Sequence, residues 1–199
     1  MVTPAAKREA VAHLEAEFGG IDIMVNSAGI SYLQNLSDTT VEQWRREIDV
    51  NLTGSFLASQ FAVRLMKDRG TPCSIVHVSS IYGLTPVAHA AAYCAAKGGM
   101  VMLSKSVALH CAERKWPVRC NTVNPGFVDT PLLRLKEDMY GGSGVMLEAM
   151  AAEIPMGKVA SSENIAEAIT FLSSDAASLI SSTTLVIDGA LTVGLAARH

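Results

Sequence analysis

Short apolar runs alternate with amphipathic segments along most of the chain. Four runs contain Ile or Val and are bounded by polar or Gly-containing stretches, at residues 21–26, 74–80, 118–123 and 184–188. Short, nearly continuous apolar runs of this kind are typical of strands in a parallel sheet that is covered on both faces. The chain between them places apolar residues at helical spacing, which predicts helices.

Cap signals and periodicity predict four helices, over residues 3–18, 40–69, 91–113 and 162–172. The first has Thr3 as its N-cap and Pro4 at its first position, and Gly19-Gly20 ends it. Strands that alternate with helices predict an α/β fold with a parallel sheet and right-handed crossovers. No repeat or linker divides the sequence, so one domain is expected over residues 1–199.

Composition and charge exclude several classes of protein. Of the 199 residues, 49% are hydrophobic and 18% charged, which is enough for one sizeable core. A net charge of −3 gives no reason to expect a nucleic-acid partner. No apolar run reaches the roughly 18 residues of a membrane span, and the N-terminal segment lacks the apolar core of a signal peptide.

The cysteines and histidines show no metal-ligand spacing. Cys73, Cys94, Cys111 and Cys120 are irregularly spaced without a CxxC pair, which favours free thiols in a reducing cytoplasm. His77 falls inside an apolar strand, where a structural role is expected. The sequence therefore predicts no metal site.

Residues 78–100 contain the side chains best suited to chemistry. Tyr93 and Lys97 are four apart in a predicted helix, so both lie on one face. A neighbouring ammonium favours the phenolate, which predicts a lowered Tyr93 pKa and a general acid/base. Ser80, where the preceding strand ends, can hold a substrate oxygen for Tyr93. Taken alone, such a Tyr/Lys pair is more often a surface contact, and a Ser-Ser pair more often a turn.

Three polar clusters follow predicted strands, at residues 26–29, 79–80 and 124–130. Ligands of open α/β sheets bind outside the carboxyl ends of the strands. Each cluster alone is consistent with an ordinary turn. Their common position at one sheet edge, beside the Tyr93/Lys97 helix, predicts a binding cleft.

The combination resembles the short-chain dehydrogenase/reductase family over essentially the whole chain. The matching residues, in order and spacing, are Asn26-Ser27-Ala28-Gly29, Asn51 in the run DVNLTG, Ser80, Tyr93-x-x-x-Lys97, and Pro125-Gly126 leading to Thr130. Within the family, residues 131–155 and the ending STTLVIDGALTVG resemble bacterial hydroxysteroid and secondary-alcohol dehydrogenases.

The resemblance implies a Rossmann-type doubly wound parallel sheet and an oxidoreductase that uses NAD or NADP. Its implied catalytic residues are Asn51, Ser80, Tyr93 and Lys97. The implied cofactor-binding residues are Asn26, Ala28, Gly29, Tyr93, Lys97, Pro125, Gly126, Val128 and Thr130. Substrate is expected against Ser80, Tyr82 and Tyr93, with residues 131–155 as a mobile lid. The family resemblance also implies a homo-oligomer, a dimer or tetramer.

One departure from the family is large. The Gly-rich turn TGxxxGxG that binds the pyrophosphate has no counterpart, and Gly19-Gly20 stands in the wrong context for it. The first βαβαβ part of the fold is therefore expected to be missing, which leaves residues 21–26 as an apolar sheet edge. Either Met1 is not the natural start, or the chain is a shortened form.

The expected function is hydride transfer between NAD(P)(H) and the alcohol/ketone pair of an apolar substrate, such as a steroid or secondary alcohol. Apolar residues at positions 132, 133, 139, 146 and 150 favour that substrate, although Leu and Met at such spacing are equally typical of core. The alternative is a non-catalytic fragment that assembles through its sheet edge. A hydrolase with Ser80 as nucleophile is disfavoured, because the sequence lacks a GxSxG elbow.

Overall fold

The computed structural model describes residues 4–135 and 137–194. Its four strands are β1 (Ile23–Asn26), β2 (Cys73–Val78), β3 (Val118–Pro125) and β4 (Thr184–Ile187). They form one parallel sheet in the order β1-β2-β3-β4. All four predicted strands are present, with small shifts at their ends.

The helices are α1 (Pro4–Phe18), α2 (Val41–Glu47), α3 (Gly54–Met66), α4 (Ala91–Glu113), α5 (Pro131–Arg134), α6 (Ser143–Glu153), α7 (Ser162–Ser173) and α8 (Leu191–Gly194). The four predicted helices are confirmed, and Thr3 lies outside the described residues. Gly19 follows α1 with a φ of 67°, a conformation that glycine adopts without steric cost.

Helices cover both faces of the sheet. On one face α3 and α4 pack on β2 and β3, and the buried cluster is Ala62, Met66, Cys73, Ile75, Ala108, Cys111, Val118 and Cys120. On the other face α7 packs on the same strands, and the cluster is Val76, Val123, Ile165 and Leu172. Successive residues of β2 point to opposite clusters, as the two-residue period of a strand requires. The predicted Rossmann-type fold is confirmed.

Strand β1 forms an edge of the sheet, as the departure from the family predicts. It pairs with β2, and Ile23 and Val25 remain 53% and 43% exposed. The apolar pattern of β1 predicts that helices cover both of its faces, and this prediction is wrong for β1. The edge position explains the exposure, because a strand with one neighbour meets fewer covering side chains.

The predicted helix over residues 40–69 is continuous but not regular. Thr40 caps it, with Gln43 completing a capping box. Residues Ile48–Thr53 then widen into a π-helical segment before α3 begins. This segment contains Asn51, and π-helical turns are frequent at functional sites.

A buried polar network joins β1, β2 and α3. The His77 ring is fully buried, with Nε2 3.0 Å from the Ser59 hydroxyl and Nδ1 3.4 Å from Asn26 Nδ2. Asn26 Nδ2 also donates to the Ser55 hydroxyl at 2.6 Å. The structural role predicted for His77 is confirmed by these contacts.

Acid is expected to destabilise the fold through His77. Burial, with a smaller effect of the Lys97 charge, lowers the His77 pKa from 6.5 to about 4. Between these pH values the unfolded chain binds the proton and the folded chain does not. The free energy of unfolding should therefore fall by roughly 3 kcal/mol as pH drops from about 6.5 to 4.

Urea denaturation across this pH range tests the effect. The variant His77→Asn should show a shallower pH dependence than the wild type, whereas the exposed-site control His89→Gln should match it. An unchanged pH dependence in His77→Asn would contradict the assignment.

The four cysteines are free; Cys73, Cys111 and Cys120 are buried, and Cys94 is half-buried. Among residues 4–135 and 137–194, no group of three or more metal-ligating side chains is present. The same residues form no helix with the length and apolar character needed to cross a bilayer.

Candidate active site

A cavity of about 750 Å³ opens at the carboxyl ends of the strands. Its walls come from the segments that follow β1, β2 and β3, and from α4, α5 and α7. The polar side chains that line it are Ser27, Ser31, Ser79, Ser80, Tyr82, Tyr93, Lys97, Thr130 and Ser162. The structure therefore contains a cleft at the predicted edge.

Ser80 lies two residues beyond β2, in extended conformation, and begins a short 3-10 turn over Ile81–Gly83. Its hydroxyl accepts a hydrogen bond from Tyr82 N at 3.2 Å, and its carbonyl accepts one from Asn124 Nδ2 at 2.7 Å. The Ser80 hydroxyl also lies close enough to the Tyr93 phenol to lower the pKa of that phenol. The turn and β3 thus hold Ser80 against the Tyr93 hydroxyl.

Tyr93 and Lys97 face the cavity from the first two turns of α4. The Lys97 ammonium lies 5.5 Å from the centroid of the Tyr93 ring and donates to Val78 O at 2.8 Å. The Tyr93 ring meets Tyr82 edge-on, with centroids 6.5 Å apart. Ring contacts and a backbone anchor therefore fix both reactive side chains.

Glycines allow close packing around Lys97. A Cβ on Gly83 would lie 2.8 Å from the Lys97 carbonyl carbon and oxygen, and one on Gly99 would lie 2.8 Å from Leu52 Cδ2. The 3-10 turn therefore packs directly on the α4 backbone, and the Leu52 side chain of the π-helical segment fits against Gly99. This packing sets the position of Lys97 beside Val78.

The pKa values differ from the expectation for Tyr93. Burial raises the pKa of Tyr93 to about 12, and the negative charge of Glu47 acts in the same direction, against the effect of the Ser80 hydroxyl. Burial also lowers the Lys97 pKa to about 8. The predicted lowering of the Tyr93 pKa is wrong for the ligand-free chain, because desolvation outweighs a cation that lies over the ring.

The cavity includes most of the residues predicted for the site. Those that line it are Gly29, Ser80, Tyr82, Tyr93, Lys97, Pro125, Gly126, Val128 and Thr130. Asn26, Ala28 and Asn51 are not among the lining residues. Asn26 belongs to the His77 network, and Asn51 bonds the backbone of Ile30, accepting from its N at 3.0 Å and donating to its O at 2.8 Å.

Some side chains of residues 131–155 line the cavity, and others lie in the hydrophobic core. Leu132 and Leu133 line the cavity, whereas Met146 and Met150 are buried in a cluster with Leu133. The Met139 side chain lies outside the described part of the structure. Met146 and Met150 are therefore core residues. The sequence allowed this role as an alternative to substrate binding. Movement of this segment as a lid stays a prediction.

Several residues of the cavity carry no motif that identifies them in the sequence. Leu33, Phe127 and Leu135 line the cavity, and Asn124 orients Ser80 from β3. Asn124 has one usable signal, because it is a polar residue that directly follows an apolar strand run. The two leucines are indistinguishable from core residues by pattern alone, whereas Phe127 falls within the predicted cluster 124–130.

Comparison with known proteins identifies similar dehydrogenases and reductases. Residues 2–192 match the family described as enoyl-(acyl carrier protein) reductase. The chain is 36% identical over 178 residues to the NADP-dependent (R)-specific alcohol dehydrogenase of Lentilactobacillus kefiri, covering 89% of this chain and 69% of that protein. It is 40% identical over 179 residues to 3beta-hydroxysteroid dehydrogenase 1 of Eggerthella lenta, covering 88% and 65%. The chain thus spans about two thirds of the length of these relatives.

A solved structure matches the fold closely. The ligand-free aldohexose dehydrogenase of Thermoplasma acidophilum superposes with a TM-score of 0.90 at 34% identity, covering 96% of this chain and 76% of that one. The family match, the sequence identities and the similarity of fold each cover most of the chain. The chain belongs to the short-chain dehydrogenase/reductase family of oxidoreductases.

Proposed function

We propose that the chain carries the proton-transfer site and substrate cavity of an NAD(P)-dependent dehydrogenase that interconverts an apolar secondary alcohol and its ketone. The observation that carries the proposal is the meeting of Ser80, Tyr93 and Lys97 in one cavity at the sheet edge. The hydroxyl of Ser80 lies near the phenol that would exchange the proton, near enough to lower its pKa.

The three side chains divide the work. Ser80 holds the substrate oxygen by a hydrogen bond, which places it beside the Tyr93 hydroxyl. Tyr93 donates its proton to that oxygen in ketone reduction and removes it in alcohol oxidation. Lys97 places a positive charge beside the ring and stabilises the phenolate that donation leaves behind.

The resting protonation state favours one direction. With a pKa raised to about 12, Tyr93 is a neutral donor near neutral pH, and Lys97, with a pKa of about 8, is mostly charged. A neutral phenol is the form that reduction of a ketone requires. In alcohol oxidation Tyr93 must first lose its proton, so that direction requires an additional interaction that lowers the Tyr93 pKa.

The donors in the cavity fit a nicotinamide nucleotide. An ammonium has three N–H donors, and Val78 O is the acceptor that the described structure gives to Lys97. Its remaining donors suit ribose hydroxyls. Gly29 leaves room at this point, since a Cβ there would lie 3.1 Å from Asn51 Oδ1 and 3.6 Å from Lys97 Nζ. When bound, the nicotinamide supplies or accepts the hydride.

The rest of the cavity suits an apolar substrate. Apolar side chains line it at Leu33, Phe127, Leu132, Leu133 and Leu135. A neutral substrate body would meet these side chains while its oxygen meets the Ser and Tyr hydroxyls. The relatives named as alcohol and hydroxysteroid dehydrogenases support this class.

Titration with NADH and NADPH, followed by nicotinamide fluorescence, tests the proposal directly. Saturable binding is expected, weakened because the sequence has no Gly-rich turn for the pyrophosphate, and turnover should follow in a screen of secondary alcohols and ketones. The comparison of the two nucleotides decides the NAD/NADP choice. If neither binds to a chain that is folded by circular dichroism, the proposal is wrong and the non-catalytic alternative is favoured.

A homo-oligomer, implied by the family resemblance, stays a prediction. Phe56 on α3 and Met102 and Leu109 on α4 are 47%, 64% and 60% exposed. These side chains are available for association through the two long helices.

A further inference from the structure

A buried carboxylate lies one helical turn before Asn51 and is not among the residues that line the cavity. Glu47 ends α2 and is only 1% exposed, although Glu is rarely buried without a partner. Its Oε1 accepts a hydrogen bond from Tyr32 N at 2.6 Å. Burial raises the Glu47 pKa, and that backbone donor acts against the rise.

Tyr32 belongs to a segment after β1 in which every second residue lines the cavity. After β1 the chain runs without a regular helix or strand, and residues 27, 29, 31 and 33 line the cavity. The alternate residues are anchored elsewhere. Asn51 binds Ile30, Glu47 binds Tyr32, and Gln34 forms an isolated parallel bridge with Ala90.

The hydrogen bond from Tyr32 N to Glu47 fixes the positions of the residues on either side of Tyr32. Ser31 and Leu33 line the cavity, and Tyr32 between them is 39% exposed. The bond from Tyr32 N to Glu47 therefore sets how far Ser31 and Leu33 reach toward the substrate. An extended segment that joins no strand ladder depends on such side-chain partners for its backbone groups.

This wall offers a ligand two polar side chains, Ser27, which is exposed, and Ser31. The Ser31 Oγ is buried and has no hydrogen-bond partner within the described residues 4–135 and 137–194. A buried hydroxyl without a partner is costly, and a polar group of a bound ligand would remove that cost. A shift of Ser31 or of the neighbouring Tyr32 would therefore change how the cavity binds a ligand.

Glu47 also faces the reactive end of α4. Its negative charge contributes to the raised pKa of Tyr93, so the carboxylate and the phenol are close enough to interact. Helices α2 and α4 are in contact. One side chain thus connects the wall of the cavity with the helix that carries Tyr93.

We propose that Glu47 is a positioning residue that fixes the Ser31–Leu33 wall of the substrate cavity through the backbone of Tyr32. The role in substrate binding rests on the proposed function, whereas the role as anchor does not. Asn51 holds the same wall at Ile30, so the two side chains act as consecutive clamps one helical turn apart.

Three variants separate anchoring from a general effect of mutation. Glu47→Leu removes the acceptor at similar volume, Glu47→Gln keeps an oxygen acceptor without the charge, and Glu42→Leu removes an exposed carboxylate from the same helix. Amide hydrogen exchange of Tyr32, measured by NMR on the ligand-free chain, is the first readout. The KM and kcat of a secondary alcohol or its ketone are the second.

In Glu47→Leu we expect exchange of the Tyr32 amide to be about tenfold faster, as the loss of one hydrogen bond to a carboxyl group implies. The KM should rise by a similar factor with a smaller change in kcat. Glu47→Gln should restore both values to within about threefold of the wild type, and Glu42→Leu should change neither.

Unchanged exchange at Tyr32 in Glu47→Leu would overturn the anchor. Faster exchange with an unchanged KM would overturn its role in substrate binding. Absence of nucleotide binding and turnover in the wild type would count against the proposed function, and the exchange measurement would still decide the anchor.

Discussion

Replacing Tyr93 with Phe is expected to lower the turnover number for an alcohol or its ketone by about 10³-fold, within the range contributed by a positioned general acid/base. The phenol hydroxyl is the group that exchanges the proton with the substrate oxygen in the proposed site. Phe retains the ring but cannot donate or accept that proton.

The fold should survive this change. The aromatic contact with Tyr82 needs only the ring, so Phe preserves it. The lost hydroxyl lies near Ser80, which keeps its hydrogen bonds with Tyr82 N and Asn124. Thermal unfolding should therefore shift by only a few degrees, as expected for one hydrogen bond.

Tyr82→Phe is the matched control, because Tyr82 lines the same cavity and shares the ring contact. It removes a hydroxyl without removing the proton donor. It should change KM more than kcat, since Tyr82 is expected to contact substrate. Turnover retained by Tyr93→Phe at more than about a tenth of the wild type would exclude Tyr93 as the general acid/base.

Replacing Lys97 with Met is expected to raise the stability of the fold and to lower the activity. The chain buries an ammonium whose pKa falls from 10.5 to about 8, so the charged form is disfavoured in the folded state near neutral pH. Removing the charge at similar side-chain length should gain roughly 3 kcal/mol, less about 1 kcal/mol for the lost bond to Val78 O. We expect a net stabilisation of about 2 kcal/mol near neutral pH.

The pH dependence identifies the cause. Above the unfolded-state pKa of Lys97 both states are neutral, and the charge no longer opposes folding. The advantage of Lys97→Met should therefore shrink as pH rises from about 8 to 10.5. Urea denaturation at about pH 7 and about pH 10 measures the difference.

Activity should move in the opposite direction. Without Lys97, the phenolate left by proton donation has no adjacent cation, and turnover should fall by at least about 10²-fold. Lys105→Met, at an exposed position of the same helix, should change neither stability nor turnover appreciably. A stability gain that is absent, or equal at both pH values, would contradict the assignment. Such an exchange of stability for activity is common where function requires a buried charge.

The strands, the main helices and the centre of the reactive site follow from local sequence patterns. Strand and helix periods are local properties, and each predicted element is present in the structure. The spacing of Tyr93 and Lys97 places them on one face of any regular helix. The position of Ser80 after a strand places it at the ligand-binding edge of any parallel α/β sheet.

The electrostatics and the shape of the cavity depend instead on packing between distant segments. The raised pKa of Tyr93 and the lowered pKa of Lys97 come from burial, to which residues far apart in the chain contribute. Asn51 faces Ile30 rather than the cavity because the π-helical segment packs beside the wall after β1. Glu47 becomes an anchor for the same reason, since its partner Tyr32 is brought to it by packing and by no local pattern.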